Sequence, residues 1–202
     1  MQLDLNDFSP NARYHLMTQV ILPRPIAWVL TANEDASLNL APFSYFNAIC
    51  SDPPLVVMSV GHKADQSVKD TRHNLLSGRD AVLHIPSTSQ APSVSLTSES
   101  LDYGEPELVL LDDQARLVDF SGCPLPRLAD CPIALHVSLD SVHEIGPARQ
   151  AVFYLQIKQL YASDACASQD EQGRWSIDPE KVQPLSRLGR GLYAGLGVPF
   201  KA

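Results

Sequence analysis

The sequence has little of what marks a secreted, membrane-spanning or metal-holding protein. Its four cysteines, at positions 50, 123, 131 and 166 of 202, are spaced too irregularly for a CxxC pair or a zinc knuckle, and they are too few for a disulfide framework. It has no run of eighteen apolar residues, the length that a membrane-spanning helix needs. Asp4 and Asp7 lie near the start with no long apolar run behind them, so we expect no secretory signal and a cytoplasmic location.

Basic residues and catalytic motifs are scarce as well. The 15 Lys and Arg against 23 Asp and Glu give a net charge of −8, which argues against nucleic-acid binding, because that requires a basic face. The six histidines form no HExxH or other compact metal set, and neither a GxSxG elbow nor a P-loop occurs. Gly189-Arg190-Gly191 imitates a dinucleotide-binding fingerprint, but no apolar strand precedes it. Hydrolase, kinase and metal-dependent functions are therefore not indicated.

Short apolar runs rich in strand-forming residues dominate the chain. Residues 26–31 follow Pro23 and Pro25 and predict a strand buried on both faces, which a turn at 33–36 joins to residues 38–40 as an antiparallel hairpin. Further strands are predicted at 55–60, 81–85, 133–145 and 151–161, with the last two joined across Gly146-Pro147. Because strands outnumber helices and connections are short, we expect a mostly antiparallel barrel with a few helices, in one domain spanning 1–202, over a doubly wound α/β sheet.

Two helices and one long loop complete the prediction. A short helix is expected near 12–20, and a second begins with Asp65 as its cap and ends at Gly78, because apolar residues between them recur at helical spacing. Residues 86–108 are rich in Ser and Pro, so we expect a surface excursion with one short helix near 93–97 and no ordered core.

The stretch from Arg24 to Gly78 holds the polar groups that an anionic aromatic cofactor requires. Between Gly61 and Arg79 four basic residues outnumber two acidic ones, and the helix start near Lys69 would add to an anion site; the alternative is a solvated helix face. Residues 39–47 are predicted to form an irregular extended segment around a proline, whose free backbone N–H and C=O groups could face a planar ligand. The alternative is an ordinary loop whose own Asn and Ser side chains satisfy these backbone groups. The pattern alone leaves both alternatives open.

Four motifs in order along the chain are more specific than any of these signals. They are RPIAWV at 24–29, NLAPFSYFNA at 39–48, SDPPLVVMSVG at 51–61, and KDT at 69–71 with Asn74. Residues 184–189 with Tyr193 continue the series, so that it covers most of the chain. The sequence closely resembles the flavin reductase-like FMN-binding split-barrel family, which includes flavoredoxin and the reductase components of two-component flavin monooxygenases.

This resemblance implies a six-stranded antiparallel Greek-key barrel, a homodimer, and FMN held near the subunit interface without a metal. The residues implied to line the flavin are Thr31, Asn39, Ala41, Pro42, Phe43, Ser44 and Asn47, those implied near its phosphate or ribityl chain are Lys69, Asp70 and Thr71, and those implied to complete the site are Arg187 and Tyr193. The chain departs from the family at Leu30, where relatives often carry Ser, at His84, where they often carry Asn, and at Ala36-Ser37, where they often place Gly.

The implied activity is transfer of hydride from NAD(P)H to flavin, and it needs no catalytic side chain because the cofactor carries the chemistry. A second hypothesis is an FMN-containing electron carrier that a protein partner reduces and that has no nicotinamide activity. A third is a binding module that has lost its cofactor. The choice between NADH and NADPH, the tightness of FMN binding and the final acceptor, including a flavin-dependent oxygenase or a redox protein, stay open.

Overall fold

The computed structural model describes residues 1–99, 101, 102, 104, 105 and 107–201, with side chains omitted at 112–114. The helices are α1 (Pro10–Val20), α2 (Asp70–Leu76), α3 (Ala91–Leu96) and α4 (Pro179–Val182), with 3-10 turns at Leu5–Asp7, Thr88–Gln90 and Glu107–Gln114. The strands are β1 (Arg24–Pro25), β2 (Ala27–Ala32), β3 (Leu38–Phe43), β4 (Phe46–Ser51), β5 (Pro54–Val60), β6 (Ala81–Ile85), β7 (Leu117–Val118), β8 (Arg127–Leu128), β9 (Ile133–Ile145), β10 (Gln150–Ala162), β11 (Ala167–Gln169), β12 (Trp175–Ile177), β13 (Ser186–Gly189) and β14 (Leu192–Ala194). None of the described helices is long and apolar enough to cross a membrane.

A large antiparallel sheet dominates the described part of the chain, with the strand order β3-β2-β6-β9-β10-β5-β4. Its two outermost strands, β3 and β4, follow one another in sequence, and only Ser44 and Tyr45 separate them. Two residues cannot cross a flat sheet of seven strands, since each residue spans at most about 3.6 Å. The sheet is therefore rolled, and its two edges meet at a split that residues 42–45 occupy.

Strand β2 shows why this sequence makes two cores rather than one. Ala27 and Val29 face the inside of the rolled sheet, whereas Trp28 and Leu30 face a second cluster under the loops and short helices. The side chains of a strand alternate between its two faces, so a continuous apolar run is stable only where both faces are covered. This confirms the prediction that residues 26–31 form a doubly buried strand.

The mostly antiparallel split-barrel fold predicted from the sequence is confirmed. The hairpin of β2 with β3, strands β5 and β6, and the long β9–β10 hairpin all lie within a few residues of their predicted positions. The large sheet has seven strands rather than the six of the resemblance, because residues 46–51 pair with β5 as β4. After residue 162 the chain also forms two small hairpins, β11–β12 and β13–β14.

Two local predictions are wrong. Helix α2 begins at Asp70, with Lys69 before it, because the Asp65 carboxylate instead accepts from the backbone and hydroxyl of Ser67 and closes a tight turn. The segment 86–108 is not merely a surface excursion. Val94 is fully buried in the second cluster with Trp28, and Thr97 Oγ1 accepts a 2.9 Å hydrogen bond from the indole of Trp28. Helix α3 and Thr97 therefore cover that second cluster.

Candidate functional site

Three adjoining cavities meet at the split of the barrel, and Pro42 and Phe43 line all three. The largest, about 410 Å³, runs past Ser44 and Tyr45 toward Lys69. A cavity of about 40 Å³ lies beside α2, and one of about 150 Å³ lies on the side of strands β13 and β14. We call these three spaces together the Phe43 groove. Its position follows from the fold, because the sheet is interrupted only where β3 gives way to β4.

Lys69 supplies positive charge to this groove. Its ammonium lies 5.7 Å from the centre of the Phe43 ring and lines both the small and the large cavity. No carboxylate lies within ion-pair distance of it among the described residues, and burial lowers the pKa of Lys69. Burial of an ammonium that makes no ion pair is costly, and the charge of Glu107 offsets this cost only in part, so this position suits an anion that arrives with a ligand.

Asn39 joins the floor of the groove to a buried carboxylate. In the amide orientation that satisfies its neighbours, Asn39 donates to Glu107 Oε2 at 2.8 Å and accepts from the hydroxyl of Thr71 at 2.9 Å. Glu107 also accepts from the backbone N–H of Leu40 at 3.2 Å, and burial raises the pKa of its carboxyl group. The carboxylate therefore fixes strand β3 to the 3-10 turn at Glu107–Gln114.

The buried polar contacts continue away from the groove. Asn74 on α2 donates to Thr31 Oγ1 at 3.0 Å and to Asn33 Oδ1 at 2.8 Å, and Asn33 in turn donates to Ser37 Oγ at 3.0 Å. Thr31 Oγ1 lies 3.3 Å from the amide of Asn39. This chain of contacts, which we call the Asn74 network, locks helix α2 onto the β2–β3 hairpin and so holds Lys69 at the groove.

Asp70 has a different role from its neighbours. Its carboxylate lies 3.2 Å from the ammonium of Lys63 and accepts from the backbone N–H of Gly104 at 3.1 Å. Lys63 also donates to the carbonyl of Leu101 at 2.8 Å. Since these contacts are made to Leu101 and Gly104, they hold the backbone of those two residues beside the groove, and Asp70 makes no ion pair with Lys69.

The structure brings together most of the site residues that the sequence indicates. Those that line the groove are Asn39, Ala41, Pro42, Phe43, Ser44, Lys69, Asp70, Thr71 and Arg187. Thr31 is fully buried in the Asn74 network and lines none of the three cavities. Asn47 lies on the exposed strand β4, and its side-chain oxygen accepts from the next backbone N–H at 2.9 Å.

Comparison with known proteins decides the family. The family model described as "Flavin reductase like domain" matches residues 17–172, about three quarters of the chain. This chain belongs to the flavin reductase-like family. An uncharacterized protein of Halalkalibacterium halodurans is 31% identical to it over 207 residues, which cover 99% of this chain and 94% of the relative.

Two solved structures match this flavin reductase-like protein over its whole length. Nitrilotriacetate monooxygenase component B from Bacillus cereus superposes with a TM-score of 0.88 at 27% identity, covering 100% of this chain and 98% of that one. The 2-nitrobenzoate 2-nitroreductase of Pseudomonas fluorescens superposes with a TM-score of 0.86 at 25% identity, covering 100% and 95%. Over the described residues, no group of three or more His, Cys, Asp or Glu side chains gathers as it would around a metal ion.

The sequence did not indicate Glu107, which also lines the groove of this flavin reductase-like chain. Glu107 lies 67 positions from Leu40, whose N–H it binds, so no local spacing relates the two. A signal was nonetheless present for Glu107. It directly precedes the apolar run at 108–111, and a carboxylate that such a run draws into the interior is buried only when something pairs with it.

His84, a departure from the flavin reductase-like pattern, has a structural explanation. It is fully buried; Nδ1 donates to the carbonyl of Trp28 at 3.0 Å and Nε2 accepts from the N–H of Leu128 at 2.9 Å. This pairing requires the neutral ring with its proton on Nδ1. Burial lowers the pKa of His84 to about 4, so the ring is a neutral bridge between strand β2 and strand β8.

Proposed function

We propose that the protein is a flavin reductase that holds FMN in the two cavities of the Phe43 groove that Lys69 lines and passes it a hydride from NAD(P)H. One observation carries the proposal: in a chain of the flavin reductase-like family, the groove is walled by Pro42 and Phe43 and contains a half-buried ammonium, that of Lys69, which makes no ion pair among the described residues. FMN combines a flat aromatic ring with one phosphate. Its two parts match these two features of the groove.

The residues present fit FMN. Ala41, Pro42 and Phe43 offer apolar surface to the ring system, and Ser44 adds a hydroxyl at its edge. The phosphate would compensate the charge of Lys69, which burial alone makes unfavourable. When bound, FMN accepts a hydride from a reduced nicotinamide and passes electrons on singly or in pairs.

The chain itself has three tasks in this proposal. The walls of the groove exclude water from the ring, Lys69 neutralises the phosphate, and the Asn74 network with Glu107 keeps strand β3 and helix α2 at a fixed separation. No side chain has to donate or remove a proton, because hydride transfer to a flavin is cofactor chemistry. Asp70 and Thr71 act by position, one by binding the backbone N–H of Gly104 and the other by donating to Asn39.

We further propose that residues 1–202 act as one unit and that two copies form a homodimer. Helix α1 supports the second point, because it carries Tyr14 into the groove and leaves Met17, Val20 and Ile21 exposed beside it. An exposed apolar face of this kind is typical of an interaction surface.

The same exposed face supports the alternative function, an electron carrier reduced by a protein partner. A carrier docks its redox partner beside the flavin, and helix α1 offers apolar surface at that position. The reductase and the carrier would share one FMN site and differ only in the electron donor. A flavin-dependent oxygenase or another redox protein is then the proposed acceptor.

The test begins with an absorbance spectrum of the purified protein, recorded with FMN added and then with NADH or NADPH under anaerobic conditions. Bleaching of the flavin bands at a catalytically useful rate supports the reductase and identifies the donor. FMN binding without bleaching by either nucleotide supports the carrier instead. A protein that takes up no FMN contradicts both proposals.

A pair of variants tests the position of FMN in the groove. Lys69→Met removes the ammonium and is expected to weaken FMN binding about 10- to 100-fold, the effect of losing one charge-assisted contact. Lys158→Met removes the same charge from an exposed position on β10 and should leave the affinity within about twofold. Equal FMN affinity in the two variants would contradict the proposed position of the phosphate.

A further inference from the structure

Two arginines lie directly opposite one another where strand β1 pairs with strand β13. Arg24 and Arg187 are register partners in this antiparallel pair. Side chains of such partners project from the same face of a sheet with their Cβ atoms about 5 Å apart, and like charges placed in this way are destabilising. The β1–β13 pair therefore concentrates positive charge at one end of the Phe43 groove.

Within the described part of the chain, no carboxylate lies within ion-pair distance of either arginine. Arg24 is buried, and it donates to the carbonyls of Thr18 at 2.6 Å and Ile21 at 2.8 Å. Arg187 lies over the ring of Tyr193 with its guanidinium carbon 4.3 Å from the ring centre, and no hydrogen bond from it is found within the described residues. By contrast, four other arginines pair with carboxylates: Arg72, Arg116, Arg149 and Arg174.

The cavity beside Arg187 has both polar and aromatic walls. Its volume is about 150 Å³, and the rings of Tyr14, Phe43 and Tyr193 all line it. Ser44, which receives a 3.4 Å contact from Arg24 Nε, adds a hydroxyl. An apolar cavity of about this volume is large enough to hold a benzene ring.

FMN does not account for this charge. It has one phosphate, and Lys69 lines the two cavities on the α2 side of Phe43 but not the cavity beside Arg187. Arg187, conversely, lines only the cavity on the β13 side. Among the described residues the groove thus has two separate cations that make no ion pair, and a single phosphate pairs with only one of them.

We propose that the cavity of about 150 Å³ lined by Arg187 and Tyr193 binds a second ligand, an aromatic carboxylate, whose carboxylate pairs with Arg187 and whose ring packs against the tyrosines and Phe43. Guanidinium and carboxylate form a two-pronged hydrogen-bonded pair, and a ring is the apolar group that fits the remaining space. The proposed function enters only through the position of FMN in the neighbouring cavities. In this proposal Arg187 selects the ligand and does not hold the cofactor.

Benzoate is the probe for the test, and calorimetry on the FMN-loaded protein is the measurement. Arg187→Met should weaken benzoate binding at least about tenfold while leaving FMN affinity within about twofold. Arg187→Lys keeps the charge but not the two-pronged guanidinium, so its benzoate affinity should lie between those of the parent protein and Arg187→Met. Arg190→Met is the matched control, because it removes the same charge from the exposed turn after β13 and should bind benzoate as the parent protein does.

Other ligands and variants separate the outcomes. Neutral benzamide and inorganic phosphate should each bind at least about tenfold more weakly than benzoate. Benzamide lacks the negative charge that pairs with Arg187, and phosphate lacks the aromatic ring. The inference is overturned by any of three results: no benzoate binding at millimolar concentration, equal binding to the Arg187→Met and Arg190→Met proteins, or an equal loss of FMN affinity in Arg187→Met. If the protein takes up no FMN, the proposed function fails, and the same benzoate titration without FMN decides this inference by itself.

Discussion

Acidification should destabilise the protein through one side chain, His84. The ring is neutral in the folded state, where it bridges Trp28 and Leu128, and its pKa is lowered to about 4 from the value of 6.5 that it regains on unfolding. A group whose pKa is lower in the folded state favours unfolding once the pH falls below its unfolded pKa. Stability from His84 is thus complete above about pH 7 and is lost progressively between about pH 6.5 and pH 4.

The expected loss follows from the two pKa values. Each tenfold difference in proton affinity corresponds to about 1.4 kcal/mol, so the free energy of unfolding should fall by about 2 kcal/mol at pH 5 and about 3 kcal/mol at pH 4. Urea unfolding at pH 8, 6, 5 and 4 measures this change. His84→Asn is the comparison, because an amide also has one donor and one acceptor but does not titrate in this range.

The difference between the two pH profiles isolates His84, since every other titrating group is common to both proteins. Parallel profiles for the parent and His84→Asn proteins between pH 7 and pH 4 would refute the reasoning. If the variant folds poorly, the ring proton resonances of His84 can be titrated directly by NMR in the parent protein. A His84 that titrates near 6.5 in the folded state would refute it equally.

Three substitutions test other contacts by their effect on urea unfolding. Glu107→Ala leaves two buried donors on strand β3 unpaired and should cost about 2–4 kcal/mol, whereas Glu107→Gln keeps an acceptor and should cost less; equal costs would contradict the assigned hydrogen bonds. Gly189→Ala puts a Cβ 2.7 Å from a backbone oxygen of α1 at a positive φ and should cost more than Gly191→Ala, which meets only open space; the opposite order would contradict this packing. Thr97→Val deprives the indole N–H of Trp28 of its acceptor and should cost about 1–3 kcal/mol; an unchanged stability would show that this bond contributes nothing.

The strands could be predicted from the sequence because their signal is local. The continuous apolar run at 26–31 indicates a strand covered on both faces, and the alternating pattern at 133–145 indicates a strand covered on one face. The structure has strands at both positions. The start of α2 could not be predicted in this way. Asp65 is a good helix cap by type, but its carboxylate is taken by Ser67 two positions later, and a preference for one residue type does not reveal which neighbour will use it.

In the candidate site, too, the residues in local motifs could be predicted and those defined by distant contacts could not. The motif at residues 39–44 and Lys69 was visible in the sequence, and the fold brings these residues to one groove. Glu107 was not, because its contacts with strand β3 join positions far apart in the chain. The opposition of Arg24 and Arg187 was equally hidden, since it depends on the register of two strands that 160 residues separate.

The Asn74 network has a consequence for how this sequence can evolve. The amide nitrogen of Asn74 donates to Thr31 and to Asn33 inside the protein, so a change at one of these three residues removes a buried hydrogen bond. Single substitutions at these positions should therefore be disfavoured, while matched double substitutions are tolerated. Among homologues, positions 31, 33 and 74 should vary together, and lineages that exchange one side chain should carry a compensating exchange at another.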